Sequence, residues 1–458
     1  MSHGVSDDVR RTTARLGDFV SRAEPGAKAR QVAVGAFLDT VGVTLAGASE
    51  GVARIVQRVV AAESSGSSRI LGTSIQTSAS GAALANGTAA HALDFDDMCF
   101  VSLAHPSAPL VAAALATGEL AGAHGQSVLD AYVVAFEIEG RLGRAMNPRH
   151  YERGWHATST LGTIGAAATA ARVLGLDSEA AARALAIAAS EASGLKQNFG
   201  TMVKPLHAGL AARNGVLAGL LAKEGMTASE VALDGPQGFL VAMDSRQPSL
   251  EETAVDLGTR WEILDTGITI KLYPSCAGTH PTIDALLDLR RQERFTAADV
   301  EGIEIRVDSV APDVLIYDRP TTGLEAKFSL PFCAAAAIVD GRIDIETFEA
   351  DRLHDSAIAA LLPRVRMCAD LALGRDAPPL TQARLQIQLQ DGRVLTASAD
   401  GARGYPERPA SREEMLAKFR ACARRALTEQ KTEQALGALL DIESASDVRA
   451  ITNLLSLG

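Results

Sequence analysis

Aromatic side chains are scarce in this chain: Phe, Trp and Tyr make up 4% of its 458 residues. The 47% hydrophobic content must therefore be carried by Ala, Leu, Val and Ile. That favours close-packed helices over a β-sandwich, whose strands are enriched in aromatic and β-branched residues. Positive charge is also in short supply. Lys and Arg number 44 against 55 Asp and Glu, a formal net charge of −11, which argues against a nucleic-acid partner and its basic footprint. The five cysteines, Cys99, Cys276, Cys333, Cys368 and Cys422, are scattered and form no CxxC pair. An odd number without framework spacing points to reduced thiols in a cytoplasmic protein. No run approaches the ~18 apolar residues of a membrane span. The N-terminal MSHGVSDDVRRTTARLGDF lacks the apolar centre of a signal peptide. A soluble protein with no membrane partner is expected.

What the chain does contain is a long Ala-rich first half. AKARQVAVGAFLDTVGVTLAG, LGTIGAAATAARVLGL and SEAAARALAIAASEASGL show helical periodicity, and their small residues let helix backbones approach closely. The texture changes after about residue 262. EGIEIRVDSV alternates like a strand, and ARLQIQLQDGRVLTASAD sets an Asp-Gly turn between two alternating runs, a hairpin signal. Helical candidates return at TIDALLDLRRQ, EAKFSLPFCAAAAIVDG and DSAIAALLPRV. The expected organisation is mainly α: a large all-helical domain over 1–262 and a smaller α/β domain over 263–402. A C-terminal helical segment, 403–458, should pack back on the first. The cleft between domains is the default place for a small ligand.

Ionisable residues concentrate in GTAAHALDFDDMCFVSLAHPSAPLVA, where His91, Asp94, Asp96, Asp97 and His105 lie close together. The three aspartates cannot all face one way on a helix, and neither HExxH nor an EF-hand is present. No metal is expected here. Acid–base chemistry or orientation of His105 fits better, with Asp96 or Asp97 as a helix-end or solvent-facing residue. His105 precedes Pro106, which suits a first helical turn, and His156 precedes another helix start. Either histidine alone reads as an ordinary hydrogen-bonded residue; two at separate helix entrances point toward a site. In NFGTMVKPLHAGLAARNG, Pro205 can begin a helix with Lys204 at its entrance and Thr201 and His207 at turn-like spacings. A helix N-terminus favours an anion, and Lys204 adds a charge suited to a carboxylate. In KLYPSCAGTHPTIDA, Lys271, Cys276 and His280 surround another turn before a helix. No local base would activate Cys276, which reads more readily as a buried structural thiol than as a nucleophile.

Together, NGTAAHALDFDDM, AHPSAPLVAAAL, GWHATSTLGTIGAAATAA, GTMVKPLHAGLAARNG, KLYPSCAGTH and RPTTGLEAKFS resemble the MmgE/PrpD family. The order and spacing of these stretches, across nearly the whole chain, carry the resemblance. It implies a large helical domain with a smaller α/β lid, a homodimer, and cofactor-independent chemistry on small di- or tricarboxylates. Family activities include 2-methylcitrate dehydration, cis-aconitate decarboxylation and iminodisuccinate epimerisation. By the resemblance Asp94, His105, His156, Lys204 and Lys271 match active-site positions, and His207 follows the matched lysine. Met98, Cys276 and Phe332 depart from the decarboxylase pattern, where threonine, histidine and tyrosine stand. Tyr151 and Lys204 look similar to the acid–base pair of the epimerase. The expected ranking is elimination first, epimerisation second and decarboxylation third. His156 and Lys204 would transfer protons with Asp94, His105 and Tyr151 assisting. Lys271, His207, Thr201, Cys276 and His280 would line the substrate. The alternative from another class is a non-catalytic carboxylate-binding protein.

Overall fold

Alanine and glycine decide how the helices meet. The structure is a computed structural model describing residues 7–243, 250–378 and 380–457. Its first part contains helices α1 (Ala27–Gly47), α2 (Gly51–Glu63), α3 (Ala79–His91), α4 (Ser107–Ala121), α5 (Gly125–Met146), α6 (Ala157–Val173), α7 (Ser178–Glu191) and α8 (Val203–Lys223). Helices α3, α4 and α6 are buried on almost every side, as expected of helices without a polar face. Helix α8 packs against both α3 and α6. At Gly209 an added Cβ would stand 2.3 Å from the Leu84 carbonyl, and at Gly215 it would stand 2.5 Å from the Ala166 backbone. Glycine at these two crossings brings the α8 entrance, with Lys204 and His207, up to the end of α3.

The smaller α/β part holds a four-stranded mixed sheet. Strands β1 (Val300–Val307), β2 (Val365–Ala369), β3 (Gln382–Leu389) and β4 (Val394–Asp400) lie in the order β2-β1-β3-β4. β1 and β2 are parallel, and the other pairs are antiparallel. The β3–β4 hairpin turns at Asp391-Gly392, and β1 alternates buried with less buried residues as its sequence does. Helices α9 (His280–Gln292) and α10 (Leu330–Asp340) pack against each other and against this sheet.

Two helical expectations are corrected. DSAIAALLPRV forms helix only over Ser356–Leu361; the chain then turns through Pro363 and enters β2 at Val365. EAKFSLPFCAAAAIVDG breaks into Gly323–Ala326 and α10, because Ser329 caps α10 by accepting from the Phe332 amide. Lys327 and Phe328 lie in that break. The last helices, α11 (Arg412–Ala423), α12 (Glu429–Leu440) and α13 (Arg449–Leu454), return to the first part, where α11 and α12 pack on α1 and α13 on α4. Among the described residues no single helix is long and apolar enough to cross a membrane. The one pair that reaches the length, α1 with α2, is bent by 87°.

Candidate active site

Three helix N-termini and one helix C-terminus converge beside the α/β part. Just beyond α3 the chain turns at Asp94, whose φ of 51° lies in the left-handed region that Asp tolerates better than most residues. His105 leads into α4, His156 is the N-cap of α6, and Lys204 is the second residue of α8. The Asp94 carboxylate accepts through Oδ1 from Lys204 Nζ at 2.9 Å and Lys271 Nζ at 3.1 Å. His105 Nε2 lies 3.7 Å from the same oxygen. His156 and His207 meet through their Nδ1 atoms at 3.0 Å, so one ring must donate and the other accept. That leaves Nε2 of His156 for a ligand. Lys204 Nζ also lies 5.5 and 5.0 Å from the Phe199 and Phe328 ring centroids.

Burial governs the charges of this cluster. His156, Lys204, His207 and His105 are 2%, 4%, 5% and 8% exposed. Burial, reinforced by Lys204 and neighbouring histidines, pushes His156 well down. His91 and His207 are lowered to about 4, and His105 is lowered too, in each case chiefly by burial. These four rings are neutral near pH 7. Burial alone would raise Asp94, but Lys204 and Lys271 outweigh it and hold the carboxyl well below its usual range. The wall is therefore a carboxylate shared by two lysines, faced by neutral imidazoles.

The structure corrects the expectation for Asp96 and Asp97, both of which are fully buried. Asp96 Oδ2 accepts from His91 Nδ1 at 2.8 Å and lies 3.4 Å from His105 Nδ1, making it nearer to His105 than Asp94 is. Asp97 turns away, accepting from Ser107 Oγ, which also meets the Tyr132 hydroxyl at 2.6 Å. The ligand atoms of His91, Asp94, Asp96 and His105 lie within 4.8 Å of one another, a set that could hold a metal ion. In its present arrangement Asp94 Oδ1 already receives two lysine nitrogens, which occupy the positive side of that set.

The other candidates divide. Lys271 uses three contacts on protein oxygens: Asp94 O, Asp94 Oδ1 and Ser275 O, at 3.1, 3.1 and 3.0 Å. Among the described residues Lys204 makes a single hydrogen bond, to Asp94, and so keeps donors for a ligand. His280 Nε2 meets the same Ser275 carbonyl at 3.1 Å, behind Lys271. Tyr151 is buried, with Lys196 Nζ 3.7 Å from its ring centroid, and its phenol is raised by burial, Cys276 and Asp94. Thr201 is exposed, and its hydroxyl is used locally on Asn198 O and Val203 N; the structure does not bring it to the cluster. Of the departures, Met98 pairs its backbone with Thr269, and Phe332 packs on Phe348. The Cys276 thiol is pushed up to about 11, first by burial and then by Asp94. A protonated thiol is a poor nucleophile. Cys276→Ser is expected to retain appreciable activity in a steady-state assay; complete inactivation of a folded variant would revive the nucleophile.

Two buried acids beneath the cluster set a pH dependence of stability. Burial raises Asp97 and Glu139 each to about 8. A raised folded value means that the folded state keeps a proton the unfolded state has released. The stabilisation is thus full below the ordinary values of 3.8 and 4.5 and is lost as pH rises through about 8. The buried histidines oppose this only below about their ordinary 6.5, where the unfolded state takes up protons. Between pH 7 and 8 stability should fall by up to about 1.4 kcal/mol per pH unit for each acid, and the thermal midpoint with it. Glu139→Gln should flatten the decline; a midpoint that rises across this window would contradict the assignment.

Comparison with known proteins places these residues in context. Residues 14–251 match the family model of the MmgE/PrpD N-terminal domain, and residues 273–442 match that of the MmgE/PrpD C-terminal domain. Cis-aconitate decarboxylase of Mus musculus is 30% identical over 391 residues, covering 82% of this chain and 78% of that protein. The Homo sapiens protein of the same name is 29% identical, with 82% and 79% covered. That of Aspergillus terreus is 26% identical, with 82% and 81% covered.

Proposed function

The chain belongs to the MmgE/PrpD family, and from that premise we propose that it is a cofactor-independent lyase of small di- or tricarboxylates. The observation that carries this reading is the Asp94 carboxylate held between Lys204 and Lys271 inside a wall of neutral histidines. A carbanion formed next to a carboxylate spreads its charge onto the carboxylate oxygens. Cations placed there beforehand, in a site closed to water, lower the barrier to forming it. Lys204 has the donors to do this, while Lys271 keeps Asp94 in place.

Decarboxylation of an unsaturated tricarboxylate is the finer reading, in line with the names of the relatives and against the expected ranking. Carbon dioxide leaves a β,γ-unsaturated acid, and the bond electrons move through the alkene toward the carboxylate on its far carbon, leaving two carboxylates in the product. Lys204 then returns a proton to carbon, so one proton is consumed per carbon dioxide released. The His156–His207 pair favours a second reading, elimination of water from a hydroxylated tricarboxylate. That reaction requires a base, and a neutral imidazole supplies one.

A panel of citrate-, methylcitrate-, aconitate-, tartrate- and iminodisuccinate-like acids, followed by NMR with and without EDTA, tests the proposal. Carbon dioxide release from an aconitate-like acid, unchanged by chelation, is expected. Loss of turnover with EDTA and recovery with a divalent ion would assign a metal to His91, Asp94, Asp96 and His105. Binding without turnover across the panel would favour a carboxylate-binding protein.

A further inference from the structure

Beyond α3 three successive carbonyls each accept from a different buried lysine. Lys327 Nζ donates to Leu93 O at 2.6 Å, Lys271 Nζ to Asp94 O at 3.1 Å, and Lys418 Nζ to Phe95 O at 2.7 Å. Each lysine also ties this segment to the stretch that bears Lys271. Lys327 donates to Pro274 O at 2.9 Å, Lys271 to Ser275 O at 3.0 Å, and Lys418 to the carbonyl of Lys271 at 2.8 Å. The three side chains come from distant places: Lys271 from the start of the α/β part, Lys327 from the break before α10, and Lys418 from α11.

The outer two lysines spend their hydrogen bonds on protein oxygens, two for Lys327 and three for Lys418. Lys418 completes its donors with Asp39 Oδ1 at 2.6 Å and lies 4.0 Å from the Phe95 ring centroid. Lys327 rests 4.6 Å from the Phe348 ring centroid. Burying an ammonium is costly unless its hydrogen bonds are satisfied. At a helix C-terminus, where carbonyls lack partners and the helix dipole is negative, a cation is favoured. The segment so held contains Asp94 in its left-handed turn, with Oδ1 between Lys204 and Lys271.

We propose that Lys327 and Lys418 are positioning residues: they clamp the Asp94 turn from its two sides and thereby set the Asp94–Lys204 contact on which turnover depends. The proposal rests on the reading of the Asp94 cluster as the active site. It gives α11, remote in sequence, a direct mechanical link to the chemistry. It also gives the α/β part a second tie to the turn besides Lys271.

Lys327→Met and Lys418→Met remove the nitrogen and keep an unbranched chain of similar length. With a substrate found in the acid panel, each should lower kcat by about 10- to 100-fold, the scale of a small misplacement of a catalytic group, with KM changed far less. Phe419→Leu, a packing change next to Lys418 on α11, serves as the control. It should lower the thermal midpoint and leave kcat of the folded protein unaltered. Should Lys418→Met not fold, Lys418→Gln retains an amide donor and replaces it. Crystal structures of the variants give a readout independent of turnover: Asp94 should leave its left-handed turn or lengthen its 2.9 Å contact with Lys204. Variants with unchanged Asp94 geometry, or folded variants with wild-type kcat, would overturn the proposal. A wild-type protein inactive on the whole panel, with Asp94 displaced in the variants, would count against the lyase reading and leave the clamp standing.

Discussion

Lys204→Met should lower turnover by about 10²–10⁴-fold while the protein stays folded. The folded state tolerates this change because Asp94 keeps a second cation, Lys271, at 3.1 Å. The methionine side chain can also rest against the Phe199 and Phe328 rings, whose centroids lie 5.5 and 5.0 Å from the lysine nitrogen. What disappears is, of the two lysines on Asp94, the cation that keeps hydrogen-bond donors to spare among the described residues. The carbanion next to the substrate carboxylate then forms without its nearest counter-charge, and proton return from that side is lost as well. Comparing kcat with the thermal midpoint separates the chemical loss from unfolding. Near-wild-type turnover in the folded variant would remove Lys204 from the chemical step.

Asp94→Asn is expected to damage both stability and activity. Asparagine is close in shape to aspartate and also tolerates the left-handed turn, so the substitution isolates the charge. Lys204 and Lys271, 4% and 0% exposed, would then face each other with no carboxylate between them. Removing one partner of a buried ion pair costs about 3–5 kcal/mol, because the remaining charge is left uncompensated. The native carboxylate is held below its ordinary 3.8, so its contribution is present above that pH and lost as pH falls through the lower folded value. At pH 7 the full loss should be seen in denaturant unfolding, and turnover should fall by at least about 10²-fold. A di- or tricarboxylate ligand should restore part of the stability by supplying the missing negative charge. A variant as stable as wild type would show that the two lysines are neutral or elsewhere in solution.

Much of the fold was legible because its signals are local. Helical periodicity marked the Ala-rich helices, and the Asp-Gly turn marked the β3–β4 hairpin. β2 was not legible: its five residues follow a helical run, and its partner β1 lies more than 50 positions away. The site followed the same division. His156 and Lys204 stood at helix entrances that Pro and Ser/Thr patterns reveal. The partnership of Asp96 with His91 is not legible in the sequence, because it requires the chain to double back at Asp94. Thr201 had helical spacing from Lys204, yet it lies outside α8 and caps its own turn. Lys327 lies within the family-matching RPTTGLEAKFS, but nothing local marks the partners of Lys327 or Lys418, since they reach carbonyls 234 and 323 residues away.

The most direct test of carbanion chemistry at Asp94, Lys204 and His156 is the fate of the reacting carbon in D₂O. The wild-type protein is incubated with the aconitate-like acid that it consumes, and the product is read by ¹H and ²H NMR. The expected result is one equivalent of carbon dioxide and one deuterium on the former alkene carbon next to its carboxylate, both slowed by about 10²–10⁴-fold in Lys204→Met. Inversion with deuterium uptake in a chiral acid of the panel, tartrate- or iminodisuccinate-like, and no carbon dioxide from the aconitate-like acid would replace decarboxylation by epimerisation. Product formed from that acid without any solvent deuterium, or formed equally well by Lys204→Met, would contradict proton return to a carbanion at this site.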